Sequence, residues 1–94
     1  YFRNGNQAKA LADFNFIRAQ RGVDPFTTLT LDNILAERGR ELAWEYHRRQ
    51  DLIRFGKYTA PRSFKDQSGD FRNLFPIPTS QISLNPKLKQ NPGY

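Results

Sequence analysis

The stretch ERGRELAWEYHRRQDLIRFG, Glu37 to Gly56, decides how this chain is to be read. It is rich in strong helix formers and holds no proline, so a helix is expected. About half of its side chains are nevertheless ionisable. On a wheel of about 100° per residue, Leu31, Ile34, Leu35, Leu42, Leu52 and Ile53 lie within about 60° of one direction. Arg38, Glu45, Tyr46 and Arg49 fall on the same face, so the apolar stripe carries three charges.

Two chemistries compete for that pattern. A catalytic cluster would use Glu37, Glu41, Glu45 and Asp51 as acids and His47 as base. Each of these carboxylates has an Arg three or four positions away, which favours the ionised form and makes a poor proton donor. No nucleophile and no Gly-rich loop lies nearby, so no catalytic residue is expected and the chain is read as not an enzyme. His47 reads as a packed or surface histidine. The second chemistry is structural. Buried carboxylates and guanidiniums persist when paired and hydrogen-bonded, and one Arg can bridge two partners with its five donors. Glu45 and Arg49, four apart, are spaced to pair. The expectation is a structural ion network of Glu37, Arg38, Glu41, Glu45, Arg48, Arg49, Asp51 and Arg54 that fixes the register between helices.

Composition narrows the choice further. The 94 residues suffice for one small domain. With no Cys and a single His, neither disulfides nor a Cys- or His-built zinc site is available, and no metal or cofactor is expected. No apolar run approaches the ~20 residues that span a bilayer, and no signal-peptide pattern is present. The chain has no Met and starts on Tyr1, and YFRNGN reads as the last turn of a helix followed by a turn. It is therefore expected to be a piece of a longer polypeptide. The net charge of +6 invites a nucleic-acid reading. Its distribution opposes that: residues 30–55 are neutral, while residues 56–94 hold six Lys/Arg against two Asp/Glu. A groove-binding helix would show the reverse.

Upstream, NQAKALADFNFIRAQRG predicts an amphipathic helix near 7–21, capped by Asn6 and ended by Gly22 before Asp24-Pro25. Ala8, Leu11, Phe14 and Arg18 make one stripe, and Ala10, Phe14 and Ile17 an overlapping one. The Ala10, Phe14, Ile17 spacing also fits the second helix of a tetratricopeptide-type repeat, although no second copy is visible. A second helix is predicted near 31–55, capped by Thr30, with Asp32 in its first turn and Gly56 closing it; a bend near Tyr46–Arg48 is the alternative to a continuous run. Residues 1–56 thus form the helical part. Residues 57–94 read as a loop followed by an ordered, extended strap of the same domain. Its prolines at 76, 78, 86 and 92 exclude regular helix or strand, while Thr79 starts one helical turn near 80–84. The strap is predicted to cross the helix pair, burying Phe75 and Ile77 and docking Tyr94 after a Pro92-Gly93 turn. The fold class is all-α: a tetratricopeptide-like helical scaffold with a proline-rich C-terminal strap.

ILAERGRELAWEYHRRQDLIRFG followed by NLFPIPTSQISLNPKLKQNPGY resembles the C-terminal end of the SusD-like (RagB/SusD) family. Glu37, Arg38, Arg40, Glu41, Leu42, Glu45, His47, Arg48, Asp51, Leu52, Arg54 and Gly56 fall on the family's helix pattern. Leu74 to Pro78, Ile82, Asn85, Pro86, Leu88 and Gln90 to Tyr94 fall on its closing pattern. Tyr46 stands where many members carry Gly, Gln50 stands where an aromatic is common, and Lys57–Arg72 follows no family pattern. The resemblance implies a mostly helical, non-enzymatic, cell-surface lipoprotein of the outer membrane, anchored through an N-terminal lipid that is absent from this segment. It implies an oligosaccharide or peptide ligand and a SusC-like TonB-dependent transporter as partner. In such proteins the glycan is gripped mostly by residues upstream of this segment, so no sugar-binding residue is assigned here. The alternative reading is a helical-repeat scaffold for protein–protein contact.

Overall fold

The computed structural model describes residues 1–94 and contains four α-helices and no strand: α1 (Gln7–Gln20), α2 (Leu31–Glu41), α3 (Arg48–Arg54) and α4 (Thr79–Leu84). Short 3-10 turns at Phe2–Asn4 and Asp70–Asn73 complete the regular structure. The chain divides into two compact units, Tyr1–Ala43 and Trp44–Tyr94. The structure is thus helical, in line with the all-α expectation.

In the first unit the caps do what their chemistry allows. The Asn6 side chain accepts from the Lys9 amide at 3.1 Å and opens α1. Thr30 opens α2 through a reciprocal pair: the Asn33 amide donates to its hydroxyl at 3.2 Å, and its own amide donates to Asn33 Oδ1 at 2.6 Å. After α1 the Gly22 amide donates to the Ala19 carbonyl and the Val23 amide to the Arg18 carbonyl, the two bonds of a Schellman ending. Ala10, Leu29, Ile34 and Leu35 are buried. The apolar residues of α1 are not confined to one face as expected. Leu11 and Phe14 are half-buried, while Phe16 and Ile17 are exposed. Apolar side chains all round a helix are usual where several neighbours surround it.

The helix predicted over 31–55 is two helices. Leu42 to Tyr46 form a turn between α2 and α3, and the boundary between the two units falls there. Neither Gly nor Pro marks the break. Trp44 and Tyr46 instead take left-handed backbone at φ 67° and 61°, a region that L residues with a bulky side chain rarely enter. The bend allowed for near Tyr46 is therefore the correct alternative, and a turn stands at the position where the SusD-like pattern tends to carry Gly.

In the second unit α3 ends at Gly56, φ 67°, with its amide donating to the Ile53 carbonyl and the Lys57 amide to the Leu52 carbonyl. Here Gly is needed, because the closing residue is left-handed. Leu52, Asp51 and Thr59 are buried. The tail is ordered by side-chain amides. Gln90 Oε1 accepts from the Ile77 amide at 2.8 Å and its Nε2 donates to the Ile77 carbonyl at 2.9 Å. Asn91 Nδ2 donates to the Phe75 carbonyl at 2.7 Å, and the Tyr94 hydroxyl to the Leu74 carbonyl at 2.9 Å. The Tyr94 ring meets Phe71 edge to face at 5.1 Å. The expectation that Phe75 is buried is not met: it is 69% exposed, and Ile77 is only half-buried. Polar side chains hold this segment through its backbone, and the Phe75 ring is covered on one face by the Arg49 guanidinium instead of by apolar neighbours.

Candidate functional site

The first unit contains an open cleft of about 580 Å³ lined by Arg18, Arg21, Val23, Phe26, Glu37, Arg40 and Glu41. Glu37 is its centre. It is buried on α2, and its Oε2 accepts from the Arg18 guanidinium at 2.7 Å and from Arg40 one turn further along the helix. Arg18 lies in the last turn of α1. Its Nε donates to the Asp24 carbonyl at 2.6 Å, and its guanidinium stacks over the Phe26 ring at 4.0 Å. One side chain therefore ties α1 to the loop after it and to α2. Asn15 braces the same loop, donating to the Phe26 carbonyl at 3.0 Å and accepting from its amide at 2.8 Å.

At the mouth, Arg21 forms a two-pronged pair with Glu41, at 2.5 Å and 3.1 Å. The hydrogen bonds from Arg21 hold the Glu41 carboxyl below its ordinary range, against the opposing effect of desolvation. The same bonds raise Arg21. No buried side-chain polar atom lacks a partner. The Glu41 carboxylate, gripped in this way, is a poor proton carrier. No group of three or more His, Cys, Asp or Glu side chains comes together to hold a metal.

The second unit holds a different set. Asp51 is buried and accepts from Arg54 at 3.0 Å, one turn along α3. Arg49 donates to the carbonyls of Arg72 and Asn73 at 3.0 and 3.2 Å, and its guanidinium lies over the Phe75 ring at 3.8 Å and near the Tyr58 ring at 5.0 Å. The Glu45–Arg49 pair predicted from helical spacing is absent, because the turn at Trp44–Tyr46 removes the helix that would align them. Glu45 and His47 are exposed, as is Arg48, while Arg38 is half-buried. Within the network expected from sequence, Glu37 pairs with Arg18 and Arg40 and Glu41 with Arg21 in the first unit, and Asp51 pairs with Arg54 in the second. Sequence reasoning missed Arg18 and Arg21 as partners of the two glutamates, and left Arg40 out of the network although it stands three positions from Glu37. Arg18 had a visible signal, being a charge at apolar spacing in α1.

These geometries describe a braced scaffold, and comparison with known proteins gives it a family. The model of the SusD family matches residues 1–94. The chain is 33% identical over 103 residues to the starch-binding protein SusD of Bacteroides thetaiotaomicron, covering 99% of this chain. It spans 18% of that relative's length. Matched along its whole length, the chain belongs to the SusD family of binding proteins, which are not enzymes.

Proposed function

We propose that this chain is the C-terminal part of a cell-surface nutrient-binding protein that captures oligosaccharides and delivers them to a SusC-like TonB-dependent transporter of the outer membrane. A lipid anchor outside this segment holds it at the surface. Within that protein the α1–α2 pair acts as a tetratricopeptide-like scaffold, and residues 74–94 as a strap. The observation that carries the reading is the family match over the whole chain, joined to what its motif residues do. Glu37, Asp51, Gln90, Asn91 and Tyr94 all bond to groups of their own unit. Residues used up in this way brace a fold, and the principal glycan grip then belongs to other segments. The relative's printed activity, starch binding, names the first ligand to try.

Affinity gel electrophoresis of the protein against a panel of soluble polysaccharides, starch first, tests the proposal. Retardation by at least one polysaccharide is expected. Migration unchanged by every member overturns the glycan reading and favours a helical scaffold for protein contact. Co-purification with a TonB-dependent transporter from outer membranes tests the delivery step.

A further inference from the structure

Residues 59–70, within the stretch that follows no family pattern, build a loop that is closed at three levels. At its base the Ser68 amide donates to the Thr59 carbonyl at 3.0 Å, and the Thr59 hydroxyl, on a buried residue, donates to Asp70 Oδ1 at 2.5 Å. In its middle the Lys65 ammonium is surrounded by the carbonyls of Thr59, Ala60 and Asp66 and the Ser68 hydroxyl, at 2.9 to 3.5 Å. At its apex Arg62 and Lys65 exchange backbone hydrogen bonds of 2.9 Å each, which leaves Ser63-Phe64 as a two-residue hairpin turn. Phe64 sits at φ 63° with its ring fully exposed. A turn that needs left-handed backbone ordinarily takes Gly or Asn. Phe there strains the backbone and gives up burial.

We propose that this hairpin is a carbohydrate contact, in which the Phe64 ring stacks against the C–H face of a pyranose. This rests on the glycan-binding reading above. A sugar ring offers one apolar face edged by hydroxyls. It is matched by an aromatic face among polar groups that donate and accept, the mixture usual in small-ligand sites. Arg62, Asp66 and Gln67 are exposed beside the turn and supply both kinds of group. A protein-docking knob would have a different surround, since the centre of a protein interface is apolar and depleted in charge. Within residues 62–67 Phe64 is the one apolar side chain. The three-level closure also means that little loop entropy remains to be lost on binding.

The test is a titration of the protein with maltoheptaose and with cellohexaose, by calorimetry and by NMR of the phenylalanine rings. The Phe64 ring resonances are expected to move with the sugar that binds. Phe64→Ala and Phe64→Gly should each weaken binding about tenfold, an aromatic-contact-sized effect, while Phe64→Tyr retains it. Phe64→Gly relieves the backbone strain, so a loss shared by both variants reports the ring and not the turn. Binding by the wild type that neither variant changes overturns the Phe64 proposal alone. No binding of either sugar, or of any other in the polysaccharide panel, overturns it together with the glycan reading. Self-association that disappears in Phe64→Ala, with sugar binding intact, replaces it with protein docking.

Discussion

Arg18 and Glu37, nineteen residues apart, are joined at 2.7 Å, with only 14% and 8% of their side chains exposed. A pair so far from water is valuable chiefly because breaking it is costly. Glu37→Ala leaves the Arg18 guanidinium without its partner and is expected to cost about 3–5 kcal/mol. Replacing both residues with apolar ones, Arg18→Met with Glu37→Leu, should cost much less than the sum of the single changes. Urea unfolding of wild type, Glu37→Ala, the two single apolar variants and their double measures the difference. Equal midpoints for wild type and Glu37→Ala would sink the idea that this pair braces α1 against α2.

The pair at the cleft mouth sets a pH response. Glu41 is depressed by its hydrogen bonds from Arg21, so its contribution is fully present above the ordinary Glu value of about 4.3. It is lost as pH falls through the lower folded value. Glu41→Gln should therefore lower stability in the neutral region, leave the most acid end nearly unchanged, and so flatten the acid limb of a stability-versus-pH curve. Raised salt should reduce the wild-type contribution, because the pair is open to solvent. Circular dichroism between pH 2 and 7 reads both effects.

Tyr46 holds left-handed backbone at φ 61° with its side chain 97% exposed. Little packing would be lost by removing the ring, and glycine enters this region without a steric penalty. Tyr46→Gly is expected to stabilise the protein by about 1 kcal/mol, a balance of relieved strain and added freedom in the unfolded chain. A thermal midpoint that falls instead would mean that the turn draws support from the ring.

Gln90 pairs with both polar atoms of the Ile77 backbone. Gln90→Glu keeps the shape, yet a carboxylate cannot donate to the Ile77 carbonyl and repels it. A cost of about 1–3 kcal/mol is expected, with faster hydrogen exchange at the Ile77 amide. Unchanged exchange in the variant would show that the amide is protected by something other than Gln90.

The parts of this fold that local chemistry determines were legible in sequence. Asn6, Thr30, Gly22 and Gly56 all end or begin helices where their side chains, or lack of one, require it. The break at Trp44–Tyr46 was legible only as an alternative to a continuous helix, because Leu42 to Tyr46 contains no helix breaker. That single turn also explains the failed Glu45–Arg49 pairing, since helical spacing has no meaning across it. Partners in the cleft were hidden for another reason. Arg18 and Glu37 lie on different helices, and no local rule reports which helix faces which. Phe75 misled because an aromatic between prolines looks like a packing anchor, whereas here a guanidinium covers one of its faces.

The ammonium of Lys65 has a consequence for bench chemistry. Acylating reagents must reach the lysine nitrogen, and that of Lys65 is enclosed by four oxygens of its own loop. Lys9, Lys57, Lys87 and Lys89 are all exposed. Mild labelling followed by mass spectrometry should therefore mark these four first and Lys65 last. The order of labelling becomes a gauge of whether the loop is intact, readable in variants too scarce or too heterogeneous for spectroscopy.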